Sequence, residues 1–112
     1  MTESYSLAVA ADILGALGNE TRLHVFRLLV RAGPEGLNIG QIQDHLGTAP
    51  STLAHHIQTL VHANLVNQTK NGRAVQCTAN FETMDAIVSY LTDECCSGVC
   101  VEAQAPKAKE LA

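Results

Sequence analysis

Three of the four cysteines in this 112-residue chain, Cys95, Cys96 and Cys100, fall close together near the C-terminus, while Cys77 stands alone. Thiolates are soft ligands and select soft ions. Trivalent arsenic and antimony carry a lone pair and take three ligands in a pyramid, so a group of three cysteines suits arsenite or antimonite. Zinc asks for a fourth ligand in a tetrahedron. The same cluster also permits thiol redox chemistry, because oxidation can link Cys95 or Cys96 to Cys100 across a short loop. The residue types alone leave both chemistries open. Adjacent residues of a regular helix point about 100° apart, so Cys95 and Cys96 converge only where the helix breaks, which is expected at Ser97-Gly98. Cys77 reads as a small buried hydrophobe rather than a ligand. No enzyme site is expected: His24 and His45 lie in different elements, and no acid–base pair or Gly-rich phosphate loop stands out.

A second set of residues suits nucleic acid. The net charge of -4 excludes binding by bulk attraction. Its distribution is uneven, however. Between Ser51 and Gln76 there is no Asp or Glu, but there are Lys70, Arg73, His55, His56 and His62. One stretch is therefore locally positive within an acidic chain.

The elements that must position these residues follow from periodicity. The length supports one domain, expected over residues 1–102, with a small polar tail over 103–112 expected to be disordered. No apolar run is long enough to span a membrane and the N-terminus lacks a secretory pattern, so a soluble cytoplasmic protein is expected. Leu7, Ala10, Ala11, Leu14 and Leu17 recur at helical spacing before Gly18-Asn19 breaks the run. A second helix is predicted from about Glu20 to Ala32, with Leu23, Phe26, Leu29 and Val30 on one face. Gly33-Pro34-Glu35-Gly36 is a turn.

Two short helices follow. Asn38 caps the first with Gln41 in the capping-box position, and Gly47 ends it. Thr48 is the expected cap of the second, Pro50 fits its first turn, and Leu53, Ile57 and Leu60 form its buried stripe. Two helices joined by a short Gly-containing turn describe a helix-turn-helix. The runs 65–69 and 74–78 read as strands, and Asn71-Gly72 between them suits a type I′ hairpin turn. A basic hairpin after a helix-turn-helix is a wing. Asn80 caps a last helix from Phe81 to about Glu94, on which Phe81, Met84, Val88, Leu91 and Cys95 are spaced as a helix–helix seam. The predicted fold is mainly α with a β-hairpin wing, dimeric through its first and last helices.

The order of these elements, with Leu17-Gly18-Asn19-Glu20-Thr21-Arg22-Leu23, then Ser51-Thr52-Leu53-Ala54-His55-His56-Ile57 and the Asn71-Gly72-Arg73 wing tip, resembles the ArsR/SmtB family of bacterial metal-sensing repressors. The resemblance covers about residues 7 to 94. It implies a homodimer with one recognition helix per subunit, controlled by an inducing ion. The best-known arsenic sensors of the family carry paired cysteines in the first helix of the helix-turn-helix, where this chain has Leu37-Asn38-Ile39-Gly40 and no cysteine. Zinc sensors use Asp and His on the last helix. Asp85 is available there, but no His follows His62. A third branch places a vicinal cysteine pair at the end of the last helix and a third cysteine just beyond, which Cys95, Cys96 and Cys100 match.

The resemblance thus implies a repressor that leaves palindromic operator DNA when arsenite or antimonite binds. Ser51, Thr52, His55, His56 and Thr59 are expected in the major groove, and Lys70 and Arg73 on phosphate or in the minor groove. A redox or persulfide switch on the same fold is the first alternative. A metalloid carrier that makes no use of DNA is the second, and it leaves the polar helix face and the basic wing unexplained.

Overall fold

The computed structural model describes residues 5–93, 95, 96 and 98. Cys100, Glu94, Ser97 and the tail over 103–112 lie outside the described residues, as does the end of the domain expected at 102.

The described residues fold into five α-helices, a short 3-10 helix (Gly33–Glu35) and a small sheet: α1 (Leu7–Leu17), α2 (Glu20–Ala32), β1 (Leu37–Asn38), α3 (Ile39–Leu46), α4 (Pro50–His62), β2 (Val66–Asn71), β3 (Ala74–Ala79) and α5 (Phe81–Thr92). Polar side chains set most of the boundaries. Ser6, Asn19, Asn38 and Asn80 each accept a hydrogen bond from a backbone N–H of the first helical turn that would otherwise lack a partner. The capping box at α3 forms as expected, with Asn38 Oδ1 accepting from Gln41 N at 2.8 Å and Gln41 Oε1 accepting from Asn38 N at 2.9 Å. Gly47 ends α3 in the left-handed region.

Thr48 does not cap α4. The cap position belongs to Ala49, which has no side-chain hydrogen bond, and Pro50 opens the helix. Pro has no N–H to satisfy, so one of the usual demands for a side-chain cap is already gone.

The sheet is antiparallel in the order β1-β3-β2. The short strand β1 has no counterpart in the sequence reading. Leu37 pairs with Cys77 and Asn38 with Gln76, so the turn after α2 is tied to the base of the wing. The hairpin pairs Asn71 with Ala74, which makes Gly72-Arg73 the two-residue loop. Gly72 has φ +69° and Arg73 is not among the positive-φ residues. A positive φ at the first loop position alone is the requirement of a II′ turn, not of the I′ turn expected over Asn71-Gly72.

The core gathers around α2, which packs against α1, α3, α4 and β3. It contains Val25, Phe26, Leu28 and Leu29, with Ala10, Ile13, Ala16, Ile42, Leu53, Ile57, Leu60, Leu65, Val66, Cys77, Ala79 and Ile87. The α4 stripe is buried as predicted. On α2 the buried arc is rotated, so that Val25 and Leu28 are inside and Leu23 is exposed. On α5 the buried positions are Thr83 and Ile87, while Phe81 and Met84 are partly covered. Val88 and Leu91 remain 55% and 58% exposed, beside an α1 that leaves Leu7 76% exposed.

Candidate nucleic-acid interface and thiol site

α3 and α4 form the helix-turn-helix, and α4 presents the residues picked out from the sequence. Ser51, Thr52 and His55 are exposed, whereas His56 and Thr59 are half-buried. The Thr59 hydroxyl donates to the His55 carbonyl at 3.2 Å, so its hydrogen is used within the helix. No acidic side chain lies in the first turn of α4, where the partial positive charge of the helix dipole is concentrated. Lys70 and Arg73 are both exposed on the wing, at the end of β2 and in the hairpin loop. The arrangement offers hydroxyls and imidazoles on a helix of groove-fitting size, flanked by two cations suited to phosphate.

Arg22 also belongs to this surface, and sequence reading missed it. Its Nε donates to the Ala16 carbonyl of α1 at 2.6 Å, and its Nη1 lies 3.3 Å from His56 Nδ1. Burial, then Arg22, then His55 disfavour the charged imidazole, so the His56 pKa lies below the ordinary histidine value. The contact joins residues 34 positions apart, and nothing in local spacing announces it.

The thiol site lies just past α5. The helix ends at Thr92, earlier than expected, and Cys95 and Cys96 sit in a turn rather than on the helical seam. Cys96 adopts φ +65°, a left-handed conformation uncommon for a residue with a side chain. This removes the divergence that a regular helix would impose, and the two sulfurs stand 3.3 Å apart, both exposed. An ion about 2.3 Å from each sulfur, a zinc–thiolate length, would bind there with an S–ion–S angle of about 92°, below the roughly 109° of a tetrahedron. Cys77 is fully buried in β3, and burial raises its thiol pKa while a contact from Gln68 opposes the rise. It serves the core, as the sequence suggested. Asp85 is exposed on α5, and no three His, Cys, Asp or Glu residues converge as a metal site among the described residues.

A family model described as a helix-turn-helix domain matches residues 17–69. Over 68 residues the chain is 37% identical to a candidate arsenical resistance operon repressor, ArsR, of Halobacterium salinarum, covering 59% of this chain. The chain spans about half of that relative's length, 52%. Among solved structures, an ArsR-like transcriptional regulator from Rhodococcus sp. RHA1 superposes with a TM-score of 0.72 at 21% identity, covering 94% of this chain and 93% of that one. The homodimeric winged helix-turn-helix domain of Mb0332 from Mycobacterium bovis superposes with a TM-score of 0.62 at 23% identity, covering 79% of this chain and 82% of that one. No helix among the described residues is long and apolar enough to cross a membrane. The helix-turn-helix sequence, the β1-β3-β2 wing and the flanking α1 and α5 together give this chain a winged helix-turn-helix fold, the fold of the ArsR-like regulator it superposes on.

Proposed function

We propose that the chain is a homodimeric DNA-binding transcriptional repressor that leaves its operator when arsenite or antimonite binds the thiolates of Cys95, Cys96 and Cys100. The observation that carries this reading is the exposed sulfur pair held 3.3 Å apart beyond α5. Two adjacent exposed thiols can chelate a soft, thiol-seeking ion, and Cys100 lies four residues further along the chain. The name of the haloarchaeal relative agrees with the choice of ion. DNA binding is supported by the polar face of α4 and by Lys70 and Arg73 on the wing. Two copies would present two α4 helices to a palindrome with half-sites about 34 Å apart.

The proposed dimer rests on the apolar surface left by Leu7, Leu14, Val88 and Leu91, and on the homodimeric state of Mb0332. Because α5 belongs to that surface and the thiols follow it directly, ion capture acts at the end of the dimer contact. Release requires the ion to bind the DNA-free arrangement more tightly than the DNA-bound one.

The test is fluorescence anisotropy of the reduced protein on the DNA upstream of its own coding sequence, titrated with arsenite and separately with zinc. Release by arsenite alone, lost in Cys95→Ser, Cys96→Ser and Cys100→Ser, is the expected result. DNA binding that ignores arsenite but is lost with peroxide or polysulfide transfers the site to redox sensing. Metalloid binding with no DNA binding leaves a carrier.

A further inference from the structure

We propose that Arg22 is a positioning residue for DNA recognition: it holds His56 with Nδ1 as an acceptor, so that Nε2–H is presented as a donor to an acceptor group on the DNA. This rests on the DNA-binding reading given above. A guanidinium has five N–H groups and no acceptor, and it stays protonated in proteins. At 3.3 Å from Arg22 Nη1, His56 Nδ1 must therefore carry the lone pair, and the neutral ring must bear its proton on Nε2. Protonation of Nδ1 would set two donors against each other, and burial, Arg22 and His55 all act against the charged ring.

Nε2 has no hydrogen-bond partner among the described residues, while no buried side-chain nitrogen or oxygen there lacks one. Nε2 therefore lies at the surface, on the helix that carries Ser51, Thr52 and His55. A single outward N–H is complementary to purine N7, to guanine O6 or thymine O4, and to a phosphate oxygen, but not to the amino group of cytosine. Arg22 is itself braced by its 2.6 Å bond to the Ala16 carbonyl, so the ring is oriented from the end of α1 across α2 to α4.

The experiment has two arms. Nitrogen-15 spectra of the His56 ring in free reduced protein near neutral pH should show an unprotonated Nδ1 and a protonated Nε2, with an Nδ1–H population appearing in Arg22→Gln. A protonated Nδ1 in the wild type overturns the proposal. The second arm measures affinity for the upstream DNA and for a scrambled duplex in Arg22→Gln, His56→Ala and the double variant. Each single change should weaken binding about tenfold, the loss of roughly one charge-assisted hydrogen bond. The double variant should be no more than about twofold worse than either, because Arg22 acts through His56. Loss confined to the upstream DNA marks a base edge as the acceptor, and equal loss on both duplexes marks phosphate. Either supports the proposal. Additive losses, about a hundredfold in the double variant, mean that Arg22 is merely structural and overturn it. A wild type that binds neither duplex overturns the DNA-binding reading itself, which the additive result leaves standing.

Discussion

The Sγ atoms of Cys95 and Cys96 lie 3.3 Å apart although the two residues are neighbours in the chain, because Cys96 turns into the left-handed region at φ +65°. Two sulfurs so placed close a small chelate ring without help from a third. An arsenical with one organic substituent has only two exchangeable valences, and it should occupy this pair. Phenylarsine oxide is expected to protect both thiols from a thiol reagent in Cys100→Ser, but to bind stably to neither Cys95→Ser nor Cys96→Ser. Retained binding in either of the latter would show that the pair is not the chelate.

Cys77 should behave as part of the core. Its side chain is fully buried, and burial holds its pKa above the ordinary thiol value. In the native protein Cys95 and Cys96 should react with an aromatic disulfide within the mixing time, while Cys77 waits for unfolding. A folded state that raises a thiol pKa loses stability as pH climbs past the unfolded value, where only the unfolded chain gives up its proton. Native Cys77 labelling as fast as Cys95 would sink this account.

Charge on the apolar face of α5 should separate the subunits. Val88 and Leu91 are more than half exposed in the single chain, beside exposed Leu7. In the proposed dimer, Leu91→Glu would place a carboxylate in each half of a two-fold contact. At about 1 kcal/mol or more per buried polar group, the pair costs roughly 2 kcal/mol, or about a 30-fold weaker dimer. Sedimentation velocity should show monomer at concentrations where the wild type is dimeric, with helicity retained. An unchanged distribution would place the dimer contact elsewhere.

Gly36 holds the join between α2 and the wing. It has φ +68°, and a Cβ built there would run into the Cys77 carbonyl and the Thr78 side chain. Gly36→Ala should destabilise by about 3 kcal/mol, from the left-handed backbone together with the steric clash. Gly72, also at positive φ but with open space around it, should cost only about 1 kcal/mol as Ala. Urea denaturation of the two variants side by side checks the difference, and equal losses would refute the clash.

His56 should make folding sensitive to mild acid. Its folded pKa lies below the ordinary 6.5 because of burial, then Arg22, then His55. Above the unfolded value both states are neutral and its contribution is complete. As pH falls through about 6.5, the unfolded chain takes up the proton first, so stability declines until the folded pKa is passed. Melting temperature should therefore fall between pH 7 and pH 5.5 more steeply in the wild type than in His56→Gln. Parallel profiles would remove His56 as the cause.

Local chemistry by itself determined the helices, the caps at Asn38 and Asn80, the helix-turn-helix and the existence of the wing. The caps at Asn38 and Asn80 are contacts over three residues, and the Leu53, Ile57 and Leu60 stripe is a property of helical spacing, so both are legible in the chain. The cysteine cluster was visible for the same reason, since its members are close in sequence. Tertiary structure decided the rest. Strand β1 exists only because β3 offers an edge to Leu37 and Asn38, and the hairpin turn shifted by one residue because strand pairing runs on to Asn71 and Ala74. Which arc of α2 is buried depends on the elements that surround it, so Val25 and Leu28 replaced Leu23. The Arg22–His56 contact spans two helices and 34 residues. A periodicity argument reaches one helical turn; a guanidinium meeting an imidazole across a packed interface is determined only when the helices dock.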